Sequence, residues 1–237
     1  MTKPVGFDQK VLLHHLDYTA KQTRKLSKKD MYAVLDGYLR EDITGEKSRK
    51  NVITMLMKIW YNVPNSITNI RDEVLIDFND FSKEERLFAH WCMTIIAYPF
   101  FEEVVYEFGR LFQLQDTVSS MSIGKRMKDS YGDRRRVEVA TSAVISSLKA
   151  WEIIVPSKNR AYIQNDKVSI STPLLQILLF ETILSVLDSE SLYVSTITNH
   201  ALFFPFQFDL NLHELRERRD YFTFHFQGVE NLVVERV

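Results

Sequence analysis

The chemistry that this sequence offers most plainly is phosphate binding by basic side chains between residues 125 and 160. Lysine and arginine neutralise phosphate charge, and arginine can also donate two parallel hydrogen bonds to one phosphate or one guanine. The cations fall before a predicted helix, at its N-terminus and on a predicted hairpin. The candidate nucleic-acid-binding residues are Lys125, Arg126, Lys128, Arg134, Arg135, Arg136, Ser142, Lys149, Lys158 and Arg160.

One amphipathic helix positions several of these side chains. Its apolar residues recur every three or four positions, which places them in a single stripe along an α-helix. The sequence therefore predicts a helix over residues 134–151, packed on one side and polar on the other. A shorter helix is predicted over 118–130, and a Gly-containing turn at 131–133 ends it and caps the next helix. The apolar stripe consists of Val137, Ala140, Val144, Leu148 and Trp151.

A β-hairpin with a basic tip is predicted after these helices. Two β-rich runs, at residues 152–155 and 160–163, flank a Pro-Ser-Lys-Asn turn at 156–159. Helix, turn, helix and hairpin follow one another in a winged helix, whose second helix typically enters the major groove of DNA. Three consecutive arginines at the start of that helix oppose its dipole, and a nearby phosphate would offset the cost.

Two interpretations of this module remain open. Winged helices also serve as protein-docking modules, and an arginine run is often only the solvated start of a helix. In the first interpretation the partner is duplex DNA, bound with little sequence preference. In the second, the chain is a scaffold that docks other proteins of a complex. Salt dependence separates them, because phosphate neutralisation gives a steep slope and apolar docking does not.

Composition limits the class of protein. The chain has 237 residues, 45% of them hydrophobic, which is enough to fill a core. Lysine plus arginine number 30 against 31 acidic residues, so nucleic-acid binding must come from a local patch. The single Cys92 excludes an intramolecular disulfide and a cysteine-cluster zinc site, which fits a cytoplasmic setting. Neither a signal peptide nor a membrane-spanning run is predicted.

The remaining segments are predicted to be mostly helical. The N-terminal lobe contains a helix capped by Asp8, a helix that starts at Ser27 with Asp30 in a capping-box position, and a helix over residues 47–60. Its lysine-rich surface could contact DNA as well, although a solvated face is the commoner explanation. Residues 65–80 are predicted to form a polar, irregular link.

Later segments complete a mainly α fold with a helical N-terminal lobe, a winged-helix domain and small β-hairpins. The expected domains are the lobe at 1–64, a helical connecting segment at 65–116, the winged helix at 117–188 and a C-terminal part at 189–237. The other predicted elements are a helix starting at Ser82 with Glu85, a helix over 101–114, a buried helix over 174–187 started by Thr172 and Pro173, a short helix from Ser189 or Ser191 to His200, an extended run at 206–210, and a terminal hairpin from 222–226 and 232–234.

No enzymatic chemistry is predicted. None of the six histidines stands at zinc-site spacing from an acid or cysteine, and no nucleophile elbow, Walker loop or dinucleotide fingerprint occurs. Adjacent Glu102 and Glu103 would point about 100° apart on a helix. We therefore expect no catalytic residue, no cofactor, no metal and no small-molecule substrate. Carboxylates brought together from distant segments would not be visible in the sequence.

The layout of the chain from about residue 80 onward resembles a known family. The resemblance rests on the runs KRMKDSYGDRRR and LKAWEII, a basic hairpin, an apolar helix and the segments FFPFQFDL and FHFQGVENLVV. In this order the segments resemble the small BrxA-type accessory proteins of bacterial BREX phage-defence loci. The resemblance implies a mainly helical, winged-helix-like protein that binds DNA in the cytoplasm and takes part in antiviral defence. The other process open to such a protein is transcription control.

Overall fold

The computed structural model describes residues 3–218, 220–228 and 231–237, which are mainly α-helical with three small sheets. The predicted fold class is confirmed. The helices are α1 Leu13–Thr23, α2 Lys28–Tyr38, α3 Glu46–Leu56, α4 Asn65–Asp77, α5 Lys83–Ala97, α6 Pro99–Phe112, α7 Ser120–Tyr131, α8 Arg135–Ala150, α9 Pro173–Val186, α10 Val194–Thr198 and α11 Leu212–Glu217. The strands are β1 Val118–Ser119, β2 Ile154–Pro156, β3 Ala161–Gln164, β4 Val168–Ile170, β5 Ser191–Tyr193, β6 Phe206–Phe208, β7 Phe222–Gln227 and β8 Asn231–Arg236.

Helices α6, α7 and α8 and the sheet of β1, β3 and β2 form a winged helix. The chain runs from α6 through β1 to α7 and α8, then returns through the hairpin of β2 and β3. In this sheet β3 lies in the middle and pairs antiparallel with both β1 and β2, with Val118 opposite Tyr162 and Val155 opposite Ile163. Residues 118–119, predicted as the start of a helix, form a strand because the buried Val118 pairs with β3.

Several helices begin at the positions that the start signals in the sequence predicted. Ser27 accepts a hydrogen bond from the Asp30 amide at the start of α2. At the start of α5, Ser82 and Glu85 form a capping box, each side chain accepting from the other residue's backbone N–H. Helix α9 begins at Pro173, as predicted, but Thr172 makes no capping hydrogen bond, because its hydroxyl donates to Glu85 instead. Local hydrogen bonding therefore fixes the starts of α2 and α5, whereas the proline marks the start of α9.

The prediction of an irregular link at residues 65–80 is wrong, because α4 occupies most of it. Ile67, Ile70 and Val74 are buried and lie three or four residues apart, so they form one packed face. The polar residues between them make this apolar periodicity difficult to recognise in the sequence. Arg71 lies within it and donates a hydrogen bond to the carbonyl of Trp60, which lets a buried guanidinium keep a partner.

Other details also differ from the predictions. Helix α1 starts at Leu13 rather than after Asp8, because the preceding residues are held extended along α8. The helix expected from Ser189 or Ser191 starts only at Val194, because residues 191–193 pair with β8 as a strand. The 131–133 turn does not cap α8, whose N-cap is Arg134, a residue without a capping side-chain hydrogen bond.

An extended segment, residues 3–12, runs along the back of α8, and we call it the N-terminal strap. The carbonyl of Lys3 accepts a hydrogen bond from Arg134 at 3.1 Å, at the start of α8. At the other end, the amide of Val11 donates to the Ser147 hydroxyl at 3.0 Å, and its carbonyl accepts from the Trp151 indole at 2.9 Å. Because α8 is about 24 Å long and these contacts lie at its two ends, the strap reaches from one end of the helix to the other.

The interior is one hydrophobic cluster that includes side chains from all four expected domains, from Val5 to Val234. The division at residues 64, 116 and 188 stays a prediction. Helix α9 is buried almost all round, as predicted, and it packs against α5. The terminal hairpin is also confirmed as β7 and β8, which join β5 in one sheet. Among the described residues, no helix is both long and apolar enough to cross a membrane.

Candidate nucleic-acid interface

Helix α8 has one buried face and one open face, as the sequence predicted. Val137, Ala140, Val144 and Leu148 are buried. The opposite face exposes polar and charged side chains at successive steps of three or four residues. Because the winged helix and the strap cover only the apolar side, this face is open to a partner. Its exposed residues include Arg135, Arg136, Val139, Ser142 and Lys149.

Part of the basic cluster on α7 and the start of α8 is neutralised within the chain. Arg126 lies 3.0 Å from the Glu107 carboxylate on α6. Lys128 contacts both Asp133, at 2.9 Å, and Glu138, at 2.6 Å. These hydrogen bonds, that of Glu138 first, raise the pKa of Lys128. A phosphate would therefore have to compete with a carboxylate at both cations.

Arg135 and Arg134 are also engaged, in different ways. Arg135 is exposed and lies 3.2 Å from Glu138, an i,i+3 pair that exposure to water keeps weak. Arg134 is partly buried and donates to the carbonyls of Tyr131, at 2.9 Å, and Lys3. Arg134 was predicted to bind nucleic acid together with Arg135 and Arg136, but unlike them it is not fully exposed. Its guanidinium holds the turn against the N-terminal strap.

The remaining predicted cations keep their charge available. In the part of the chain that the structure describes, none of them lies within salt-bridge distance of a carboxylate or donates a side-chain hydrogen bond. All are exposed, so they can reach a phosphate without first losing a partner. They are Lys125 on α7, Arg136 and Lys149 on α8, and Lys158 and Arg160 on the hairpin.

The hairpin tip is a tight, exposed turn that carries two of these cations. Residues Lys158–Arg160 connect β2 to β3. Asn159 and Arg160 adopt left-handed backbone conformations, with φ of 58° and 56°. The Ser120 hydroxyl donates to the Arg160 carbonyl at 3.3 Å, so the tip lies against the start of α7. The candidate interface thus consists of the open face of α8, this tip and the exposed Lys125 of α7.

The order of elements defines a winged-helix domain within a mainly α protein. The chain forms a helix, a strand, a helix, a turn, a helix and a hairpin, and the strand order in the sheet is β1, β3, β2. Its open helix α8 and the basic hairpin tip are the parts that can meet a nucleic-acid backbone. No protein-family model, no curated protein and no solved structure matches the chain.

The histidine and the cysteine on α5, His90 and Cys92, are both buried in the core. His90 accepts a hydrogen bond from the Trp60 indole at 3.1 Å through Nδ1, and its Nε2 lies 3.0 Å from Asp17. Burial lowers the pKa of His90, so the ring is neutral and its Nε2–H donates to Asp17. Cys92 is buried and burial raises the pKa of its thiol. Neither group faces the candidate interface.

Sequence reasoning missed one cluster of potential ligands. His14 and His15 of α1 lie beside Asp42, in the loop that follows α2. Asp42 is 27 residues from His15, so no motif spacing could have joined them.

Proposed function

We propose that this chain is a non-enzymatic winged-helix protein that binds duplex DNA, with little sequence preference, in the bacterial cytoplasm. The observation that carries the proposal is the set of exposed cations without carboxylate partners on the open face of α8 and on the hairpin tip. Such cations contact the phosphate backbone, which positions a protein on DNA without reading its sequence. The resemblance to BrxA-type proteins supports a role in phage defence, with transcription control as the other process.

The exposed side chains of α8 also support sequence tolerance. Specific readout of adenine typically needs asparagine or glutamine, and α8 has neither. Arg135, Arg136, Ser142 and Lys149 are the exposed groups of α8 that can reach a base edge or a phosphate. Glu138, beside them, disfavours a deep approach to phosphate. Contact through the backbone of the duplex is therefore the better fit.

The number of available cations sets the expected salt dependence. If Lys125, Arg136, Lys149, Lys158 and Arg160 all contact phosphate, the slope of log affinity against log salt is about −4.5. Affinity then falls by about 500-fold between roughly 50 and 200 mM salt. Because Arg126 and Lys128 are already paired, they are expected to add little to this slope.

The test is fluorescence anisotropy of a labelled duplex of arbitrary sequence, titrated at several salt concentrations. The key variant is Lys158→Glu with Arg160→Glu, which reverses the hairpin tip. It should weaken binding to every duplex and make the slope shallower by about 2 units, with an unchanged melting temperature. The matched control is Lys28→Glu with Lys29→Glu, two exposed lysines on α2, and it should bind like the wild type.

The outcomes separate the possible sites. Loss of binding in the α2 variant, with normal binding in the hairpin variant, would move the interface to the lysine-rich lobe. Absence of binding at low salt and micromolar protein would end the DNA proposal.

A second candidate function is protein docking, and one feature of the hairpin favours it. Val155 and Ile163 lie opposite each other on β2 and β3, with exposures of 38% and 39%. An exposed cross-strand apolar pair can pack against another protein, including another subunit of a defence complex. In that case Val155→Ser with Ile163→Ser should abolish capture of a protein from the native host, and the hairpin-tip charges should not matter.

A further inference from the structure

His14, His15 and Asp42 present three potential ligand atoms to one point. Nε2 of His15 lies 2.9 Å from Oδ2 of Asp42, and Nε2 of His14 lies 3.4 Å from the same oxygen. One donor atom from each residue lies within 4.8 Å of the other two. Bonds of about 2.0–2.1 Å at tetrahedral angles separate zinc ligands by about 3.3 Å, so these atoms can close on an ion with small side-chain movements.

Neighbouring groups orient the His14 ring for such a role. Nδ1 of His14 is 3.0 Å from the hydroxyl of Tyr38, and Tyr38 in turn stacks on Tyr18 with ring centroids 3.9 Å apart. A histidine that binds a metal through Nε2 generally uses Nδ1–H for an outer hydrogen bond of this kind. The Tyr38 hydroxyl therefore provides the acceptor that would fix both the tautomer and the direction of the His14 ring.

His15 would have to exchange one hydrogen bond for the metal bond. Its Nε2 hydrogen-bonds Asp42, and its Nδ1 accepts from the Leu12 amide at 3.4 Å. A metal would take the place of the proton on Nε2, and Nδ1 would then carry a proton and release Leu12. A bond of 3.4 Å is at the weak end of hydrogen bonds, so its loss is a small cost beside a metal–imidazole bond.

We propose that His14, His15 and Asp42 bind a divalent transition-metal ion of the zinc class. Two imidazoles and one carboxylate suit Zn²⁺, whereas Mg²⁺ and Ca²⁺ take oxygen ligands. The His15 side chain is only 1% exposed, while His14 and Asp42 are 49% and 35% exposed. One side of the site is thus closed by protein and the other is open, so water completes the coordination. The ion ties the start of α1 to the loop after α2.

The test is calorimetric titration of the full chain, first stripped of metal by a chelator, with Zn²⁺ and in parallel with Mg²⁺. We expect one Zn²⁺ per chain and no Mg²⁺ binding. Zinc at about a hundredfold above its dissociation constant should raise the melting temperature by about 5–10 °C. His14→Ala and Asp42→Asn, both at accessible positions, should each weaken zinc binding by at least about tenfold, and Tyr38→Phe by about tenfold.

The matched control is His213→Ala. His213 is an exposed histidine on α11 that lies 3.8 Å from Glu217, and the described residues place no third potential ligand beside this pair. This variant should bind zinc like the wild type. The proposal is overturned if the wild type binds no zinc, if it binds Mg²⁺ equally well, or if zinc binding is lost in His213→Ala but kept in His14→Ala and Asp42→Asn. His14 and Asp42 are not in the hairpin or α8, so these results do not depend on the DNA proposal.

Discussion

Trp151 joins helix α8 to the rest of the fold, and replacing it should lower the stability of the protein substantially. The residue follows α8 directly and is 2% exposed. Its indole packs against Trp91 and Phe101, with ring centroids 6.4 and 5.7 Å away. The indole N–H also donates to the carbonyl of Val11 in the N-terminal strap. Trp151→Ala therefore removes packing and a hydrogen bond at once.

The two losses can be given separate magnitudes. Truncating a buried tryptophan to alanine costs about 3–5 kcal/mol through lost burial and the cavity that remains. The carbonyl of Val11, a fully buried residue, loses its donor, which adds about 1–3 kcal/mol. The total, about 4–8 kcal/mol, is comparable with the whole stability of many domains. Trp151→Phe keeps most of the packing and loses the donor, so about 1–3 kcal/mol is expected.

Urea unfolding followed by far-ultraviolet circular dichroism measures both variants. Val139→Ala is the matched control on the same helix, because Val139 is 39% exposed and its loss should change stability by no more than about 0.5 kcal/mol. A loss below about 1 kcal/mol for Trp151→Ala would refute the packing of α8 described above. If Trp151→Phe costs as much as Trp151→Ala, the hydrogen bond to the strap, rather than packing, dominates.

Two further predictions concern charged residues. Arg134→Ala should lower the free energy of unfolding by about 1–2 kcal/mol, because two backbone carbonyls lose a donor. Arg136→Ala should leave stability unchanged and weaken duplex binding. Equal melting temperatures for the two variants would contradict this prediction. Burial, then the nearby Glu103, raises the pKa of Glu102 from an ordinary 4.5 to about 7. The stability linked to its protonation is therefore full below pH 4.5 and is lost as pH rises through 7. Glu102→Gln should raise the free energy of unfolding at pH 8 by at most about 3 kcal/mol and leave it unchanged at pH 4. The exposed control Glu84→Gln should not stabilise the fold at either pH.

The elements that the sequence predicted best are those with local causes. The capping box of Ser82 and Glu85 needs only neighbouring residues, and both of its hydrogen bonds are present. The stripe of α8 is also readable, because its buried positions recur at steps of three or four residues. Strand β1 was missed because two residues carry no periodicity. Its pairing with β3, more than forty positions later, decides its conformation.

The residues of the candidate interface were predictable by type, but their electrostatic state was not. Arg126 and Lys128 carry the same charge as Lys125 in the sequence, yet only folding brings Glu107 to one and Glu138 to the other. Arg134 is separated from its acceptor on Lys3 by 131 positions. A cation that folding has paired contributes less to phosphate binding, so the structure shortens the list of candidates.

The N-terminal strap decides which side of α8 a partner can reach. Its contacts at Lys3 and at Val11 lie at opposite ends of the helix, and Phe7, between them, packs on Phe101. The strap and the core thus cover the apolar side of α8 along its length. The face that bears Arg136 and Lys149 is therefore the side of α8 that stays open to a partner.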